Sequence, residues 1–179
     1  MYTTLATERL ILRPINLKDA EFIVELVNSE GWLKFIGDRN ISCTKDAENY
    51  IQNILNNNKY FYNVFELKES GNAIGIVTFL KRDDELFPDI GFALLPQFEK
   101  KGYTFEASKL YLDKLKELNT YENIIAITLP ANKKSIKLLH KLGLRYQGDF
   151  QKGEKLLSYY SLKSLSKENK NISNKKDKT

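Results

Sequence analysis

The sequence predicts an α/β (α+β) fold built on one mixed sheet, because strand-like and helix-like segments follow one another in a suitable order. Three aromatic and β-branched runs within 59–96 are separated by turn residues, which indicates an antiparallel meander. A helical pattern over 103–118 and a short apolar run over 123–129 come next. The last meander strand, this helix and this run form a strand–helix–strand unit, so the sheet should contain parallel and antiparallel neighbours.

The first third of the chain predicts one strand and two helices. Residues 8–14 alternate in polarity and end at a proline, as a strand does. Asn16 is suited to cap a helix whose apolar residues recur at helical spacing and which should stop at Gly31. A second helix is expected over 44–55.

The remaining elements follow in order. The three meander strands are expected over 59–67, 73–82 and 89–96. After the helix over 103–118, the apolar run over 123–129 is typical of a strand buried on both faces. A further helix should begin near Asn132 and end at Gly143, and a closing strand should follow over 154–162.

Length and composition favour a single domain over 1–165, followed by a lysine-rich tail over 166–179 that we expect to be disordered. No apolar stretch reaches the roughly 20 residues of a membrane span, and the N-terminus lacks the layout of a signal peptide. Cys43 is the only cysteine and His140 the only histidine, so neither a disulfide nor a metal site is expected. These features favour a reducing, cytoplasmic setting.

Most of the net charge of +5 lies near the C-terminus. Residues 163–179 contain six lysines against two acids, which gives +4 and leaves about +1 for the rest of the chain. The charge is therefore weak evidence that the domain itself binds nucleic acid. The alternative to a disordered tail is a basic arm attracted to RNA or to a membrane surface.

The stretch 94–108 leaves an apolar run, turns through charged residues and Gly102, and enters a helical pattern. This layout suits a backbone nest that holds a phosphate at a helix N-terminus. By itself the stretch also fits an ordinary basic surface turn, because Lys100 stands where a nest favours glycine.

Four segments, in order, resemble the GNAT superfamily of N-acetyltransferases, and most closely its RimJ/RimL-like branch of ribosomal-protein N-terminal acetyltransferases. They are the strand over 7–14, the strand over 89–96, the loop and helix start over 97–107, and the helix over 132–144. The resemblance extends from about residue 7 to about residue 162. It implies a GNAT fold: a mostly antiparallel mixed sheet, helices on both faces, and splayed fourth and fifth strands, with a bulge in the fourth.

The resemblance implies a bacterial-type enzyme that transfers an acetyl group from acetyl-CoA to a primary amine by direct attack in a ternary complex, without a metal. The amine belongs to a protein N-terminus or to a small molecule. A homodimer is a frequent assembly in the family. DNA and membranes are not expected as partners, and the tail is the candidate for contact with RNA or the ribosome.

The resemblance places the coenzyme on the strand over 89–96 and on the loop after it. Backbone amides over 92–95 would face the thioester carbonyl, and those over 98–103 the pyrophosphate. Lys100 replaces the first loop glycine, so a left-handed backbone there would cost about 1–2 kcal/mol, whereas a negative φ would cost nothing. The expected coenzyme-binding residues are Phe92, Ala93, Leu94, Leu95, Gln97, Phe98, Glu99, Lys100, Lys101, Gly102, Tyr103, Asn132 and Ser135.

Two catalytic roles need side chains. The general base that takes the proton of the amine is first Asp89 and second Glu66, with Glu85 also considered. The non-catalytic alternative for Asp89 is a solvated acid at the start of a strand. Ser135 is the candidate that protonates the leaving thiolate, because Leu139 stands where many family members have tyrosine. The alternative is that Ser135 only bonds to the helix backbone in the first turn.

The acceptor should be recognised by the segment 29–40 and by the loop over 82–88. Trp32 and Phe35 either line an acceptor cleft or belong to the core. The acids over 83–85 either attract a basic acceptor or form a solvated turn.

Two other functions remain open at this point. The departures at Lys100 and Leu139 would also suit a non-catalytic acyl-CoA-binding or regulatory module on the same fold. The lysine-rich tail would suit an RNA- or ribosome-associated protein.

Overall fold

The computed structural model describes residues 4–164, which form one sheet of eight strands with helices packed on both faces. The spatial order is β1-β2-β3-β4-β5-β6-β8-β7, and β5 and β6 are the parallel pair in this described sheet. The strands are β1 (Leu5–Ala6), β2 (Leu10–Pro14), β3 (Tyr60–Leu67), β4 (Ala73–Leu80), β5 (Asp89–Leu94), β6 (Ile125–Thr128), β7 (Arg145–Lys152) and β8 (Lys155–Ser161). The predicted mixed sheet and its antiparallel meander, β3-β4-β5, are confirmed. The predicted tail over 166–179 lies outside the described residues.

Five helices surround the sheet in the described part of the chain. They are α1 (Ala20–Val27), α2 (Glu30–Phe35), α3 (Thr44–Leu55), α4 (Tyr103–Glu117) and α5 (Lys133–Lys141). The predicted cap at Asn16 is confirmed. It opens a short 3-10 turn before α1 and forms a reciprocal capping box with Asp19. None of the helices is long and apolar enough to cross a membrane.

Two apolar cores lie on opposite faces of the sheet because side chains alternate along each strand. On one face, α1 and α3 cover Val64 and Ile76. On the other face, α4 and α5 cover Phe65 and Val77, which are the next residues on the same strands. The central strands are therefore apolar on both sides, as the runs in the sequence indicate.

The predicted stop of the first helix at Gly31 is wrong. Helix α1 ends at Val27, and Gly31 lies inside the short helix α2. Gly31 has a negative φ and open space around its Cα, so nothing at this position forces a break. Trp32 anchors α2 in the core, and its indole N–H donates to the carbonyl of Gly37 at 3.0 Å.

The predicted single closing strand is one half of a hairpin. Its partner, β7, forms the far edge of the sheet and is mostly exposed. Gly148 has a φ of +139° and lies at a register shift, which interrupts the alternation that identifies a strand. This polar, irregular edge strand therefore leaves little signal in the sequence.

Candidate functional site

The sheet opens between β5 and β6. These strands share one register pair, Asp89 with Ile125, and the amide of Ile125 donates to the carbonyl of Pro88 at 3.0 Å. On its other edge, β5 pairs with β4 along its whole length without a register shift. The splay that the resemblance implied is thus present, but the implied bulge in this strand is absent.

A cavity of about 820 Å³ occupies this opening and reaches both faces of the sheet. On the face of α4 and α5 its lining includes Phe92, Leu94, Lys100, Thr104, Asn132, Lys134, Ser135, Lys137, Leu138 and Leu139. On the face of α1 and α2 it includes Trp32, Phe35, Ile36, Arg39, Tyr62, Thr78, Arg82, Asp89, Gly91, Lys152, Lys155 and Leu157. Two molecules can therefore enter from opposite sides and meet at β5.

The amides of Phe92 and Leu94 point into the opening. The amide of Leu95 donates to the carbonyl of Ile74, on the β4 side, at 2.9 Å. Because the direction of the amides alternates along an antiparallel pair, those of Phe92 and Leu94 point to the opposite edge. Strand β6 has already diverged there, so these donors face the cavity. They are suited to stabilise an oxyanion.

The loop between β5 and α4 has two left-handed residues. Lys100 has a φ of +63° and Gly102 a φ of +83°. The amides of Phe98 and Glu99 donate to carbonyls within the loop, whereas those over 100–102 have no acceptor among the described residues. With the free first-turn amides of α4, they form a concave set of donors for an anion.

Arg9 holds this loop in place, a role that sequence reasoning missed. Its guanidinium donates to the carboxylate of Glu106 at 2.8 Å and to the carbonyl of Lys101 at 3.1 Å. It also lies over the ring of Tyr103, 4.6 Å from the centroid. The segment 7–14, one of the four that resemble the family, includes Arg9, but a contact across 92 positions leaves no local signal.

The first turn of α5 supplies two polar side chains to the cavity. The Oδ1 atom of Asn132 accepts from the amide of Ser135 at 3.2 Å, so Asn132 caps the helix. The hydroxyl of Ser135 is half-buried, lines the cavity and has no hydrogen-bond partner among the described residues. Leu139 lies one turn further and is buried.

Asp89 lies at the junction of the two halves of the cavity and is 5% exposed. One carboxylate oxygen accepts from the Nε of Arg82 at 2.9 Å, and the other is buried without a hydrogen-bond partner in the described structure. Burial raises the pKa of Asp89, and the charge of Arg82 opposes this rise. The sequence reading of Asp89 as a solvated acid does not fit this environment.

Glu85 lies in the loop between β4 and β5, close to Asp89. Burial, reinforced by the charge of Asp84, raises the pKa of Glu85 to about 7. Glu85 is not among the residues that line the cavity. Its carboxylate can exchange a proton near neutral pH but would need a relay to reach a substrate.

Several candidate residues lie away from the cavity lining. Glu66 forms an ion pair with Arg13 at 2.7 Å, and Arg13 also pairs with Asp19. The side-chain amide of Gln97 donates to Glu25 at 2.8 Å. The remaining candidates outside the lining are Leu95, Phe98, Lys101, Gly102 and Tyr103, of which the last three supply loop or first-turn amides.

The aromatic candidates Trp32 and Phe35 both lie at the cavity. Trp32 is buried in the core of α1 and α3, and it also lines the cavity with Phe35. Tyr62 lines the same region, and its hydroxyl lies 3.4 Å from that of Tyr50. The basic residues of this face, above all Arg39 and Lys155, were not identified from the sequence, because they stand in separate polar segments.

Comparison with known proteins assigns this architecture to a family. The sequence model of the family described as "Acetyltransferase (GNAT) domain" matches residues 9–145. The "Uncharacterized N-acetyltransferase YnaD" of Bacillus subtilis (strain 168) is 29% identical over 149 residues, which covers 83% of this chain and 86% of the relative.

Solved structures have the same fold. An acetyltransferase (GNAT family) from Bacillus anthracis is 26% identical, with a TM-score of 0.74 over 89% of this chain and 97% of that one. The ribosomal alpha-N-protein acetyltransferase RimL, solved with coenzyme A, has a TM-score of 0.77 at 11% identity, covering 89% and 97% of the two chains. The likeness to RimL is one of fold.

Proposed function

This chain belongs to the acetyltransferase (GNAT) domain family, and on that premise we propose that it transfers an acetyl group from acetyl-CoA to a primary amine by direct attack in a ternary complex. The observation that carries the proposal is the opening between β5 and β6. It is accessible from both faces and lined at its centre by the amides of Phe92 and Leu94. A thioester entering from the α4 and α5 face would meet an amine entering from the other face.

The loop after β5 would hold the pyrophosphate of the coenzyme. The unpaired amides over 100–102 and the N-terminus of α4 favour an anion. Lys100 and Lys137 line the same end of the cavity and would add charge to the contact, and Lys134, which pairs with Glu99 at 2.5 Å, lies beside them. RimL, which shares this fold, was solved in complex with coenzyme A, and this supports coenzyme A as the ligand of the cavity.

The chemistry requires one oxyanion site and two proton transfers. The amine nitrogen attacks the thioester carbon, and the amides of Phe92 and Leu94 stabilise the charge on its oxygen. Asp89 takes the proton that the amine loses, directly or through water, because one of its buried oxygens is unpaired. The carbon–sulfur bond then breaks. The hydroxyl of Ser135 gives its proton to the leaving thiolate and regains one from water, while Asp89 releases the proton of the amine to solvent.

Binding and turnover together test this function. Calorimetry should show micromolar affinity for acetyl-CoA, and thiol release should depend on both acetyl-CoA and an amine. Ser135→Ala should lower kcat at least tenfold while leaving the affinity for acetyl-CoA nearly unchanged. Ser70→Ala, in the exposed turn between β3 and β4, is the matched control.

Each alternative has its own outcome. Binding without turnover across a broad amine panel would favour the non-catalytic acyl-CoA-binding module. No binding at several hundred micromolar acetyl-CoA would reject both that module and the enzyme. Unchanged turnover in Ser135→Ala would reject the role of Ser135 alone.

A further inference from the structure

The acceptor half of the cavity is basic. Of the charged residues that line it, Arg39, Arg82, Lys152 and Lys155 are cations, whereas Asp89 is the one acid. Two of these cations already have carboxylate partners, since Lys152 pairs with Asp84 of the neighbouring loop and Arg82 pairs with Asp89. Arg39 and Lys155 are the cations of this half without a carboxylate partner in the described structure, and they leave it with a net positive charge. A basic acceptor is therefore not the partner that this surface favours.

We propose that the amine acceptor carries an anionic group, a carboxylate or a phosphate, which Arg39 and Arg82 bind at the acceptor end of the cavity. This inference rests on the proposed acetyl transfer and specifies its substrate class. It names the chemistry that the two guanidinium groups recognise, since a planar fork of N–H donors fits either anion bidentately.

Arg39 is positioned but not neutralised. Its guanidinium lies over the indole of Trp32, 5.8 Å from the ring centroid. Its hydrogen bonds go from one terminal nitrogen to the carbonyls of Gly37 and Asp38, both at 3.4 Å, and no carboxylate pairs with it in the described structure. Its other N–H donors have no acceptor among the described residues and are available to an anion, while the cation–π contact with Trp32 favours this position of the side chain.

Arg82 links the anion to the reacting amine. Its Nε donates to Asp89, while its two terminal nitrogens have no acceptor among the described residues. A carboxylate or phosphate on those terminal nitrogens would therefore lie next to Asp89. An amine attached to the same molecule would be brought to the carboxylate that we propose as its base.

Tyr62 lies in the same half of the cavity as the two arginines, since all three residues line it. Burial raises the pKa of Tyr62, so the phenol keeps its proton at neutral pH. The hydroxyl groups of Tyr50 and Tyr62 lie 3.4 Å apart, and either phenol can turn its proton toward an anion.

Matched acceptor pairs test the inference. The pairs are β-alanine with β-alaninamide, O-phosphoethanolamine with ethanolamine, and tetrapeptides that differ by aspartate or asparagine at the second position. Thiol release should give kcat/KM at least tenfold higher for the anionic member of at least one pair. The pair with the largest ratio identifies whether the source is a small carboxylate, a phosphate or an acidic peptide.

Variants assign the preference to the arginines. Arg39→Gln should reduce the anionic-to-neutral ratio of kcat/KM toward one, and Arg39→Lys should restore part of it through charge alone. Arg145→Gln removes the same charge from the exposed start of β7, outside the cavity lining, and should leave the ratio unchanged. Ratios near one in every pair, or an equal loss in Arg145→Gln, would overturn the inference.

A binding measurement separates this inference from the proposed function. If no amine is acetylated, the same pairs are titrated calorimetrically into the complex with coenzyme A. Tighter binding of the anionic members that is lost in Arg39→Gln would support the anion subsite and reject the transfer reaction. Equal binding of both members would overturn the subsite as well.

Discussion

Single residues carry the strain and the unusual electrostatics of this protein, and Lys100 is the clearest case of strain. The sequence did not determine the φ angle of Lys100, and the structure gives a value of +63°. A lysine in this region is less stable than glycine because its Cβ crowds the following carbonyl. The loop therefore retains the geometry of a nest although it lacks the first glycine.

Replacing Lys100 should relieve this strain. We expect Lys100→Gly to raise the free energy of unfolding by about 0.5–1 kcal/mol, because the relief exceeds the extra flexibility of glycine in the unfolded chain. Lys101→Gly is the matched control: its φ is not positive, so it should lower stability by about 0.5 kcal/mol. Urea unfolding compares the two. Equal destabilisation by both changes would contradict the prediction.

Glu85 should make stability depend on pH. Its pKa rises from an ordinary 4.5 to about 7 in the folded protein, so its neutral form is the favoured one. The contribution to stability is present below pH 4.5 and is lost as the pH rises through about 7. Since the group is only partly buried, solvent screening reduces the loss to about 1–2 kcal/mol.

The variant Glu85→Gln removes this dependence. Near pH 4 the variant should be as stable as the parent protein. At pH 8 it should unfold at a higher urea concentration than the parent protein does. Glu69→Gln, in an exposed turn, provides the control for general charge effects. If the difference in unfolding free energy between the parent protein and Glu85→Gln is the same at both pH values, Glu85 is not the titrating group.

Elements position the site through contacts between distant parts of the chain. Strand β5 is held on one edge by β4, and on the other edge it diverges from β6 beyond Asp89, so its amides are fixed in direction and open to a ligand. Arg9 joins the start of β2 to the loop before α4. The meander and the periodicity of the helices could be predicted from the sequence. The opening between β5 and β6 could not, because it depends on what pairs with each edge of β5.

Strand β4 needs glycine at position 75. A Cβ there would lie 2.2 Å from the Phe65 ring and 2.6 Å from the carbonyl oxygen of Ala93. Gly75→Ala should therefore lower the free energy of unfolding by about 3 kcal/mol through overpacking between β3 and β5. Gly31→Ala, in open space within α2, should instead raise stability by about 0.5 kcal/mol. Thermal melting of the two variants distinguishes these effects. A Gly75→Ala variant as stable as the parent protein would contradict the packing argument.

Across the whole molecule, the charge that matters for ligands lies around the cavity. Its lining has seven basic residues against two acidic ones, Asp89 and Glu99. The net charge outside 163–179 is only about +1, so this concentration is not evident from composition. It arises because residues from separate segments converge on one opening in the sheet.

This convergence predicts salt-dependent binding. Raising the salt from 50 to 500 mM should weaken the proposed affinity for acetyl-CoA about tenfold, because ions screen the exposed lysines at the cavity mouth. A chain that ends at Leu165 should show the same salt dependence, since its cavity lining is intact. Lys134→Gln should reduce it. Calorimetry at several salt concentrations measures each slope, and a flat slope after truncation would instead assign the interaction to the tail.

Local patterns in the sequence sufficed for the helix periods, the meander, the cap at Asn16 and the order of the four family segments. These features depend on residues close together in the chain, where spacing alone fixes which face is apolar. The edge strand β7 was missed because an exposed, irregular strand has no such pattern.

Tertiary contacts determined the remainder. The φ of Lys100, the partner of Glu66, the burial of Asp89 and the presence of Arg39 and Arg82 in one cavity lining each depend on residues far apart in sequence. Burial and electrostatic fields sum over every neighbour in space, whereas sequence spacing reports only the neighbours along the chain.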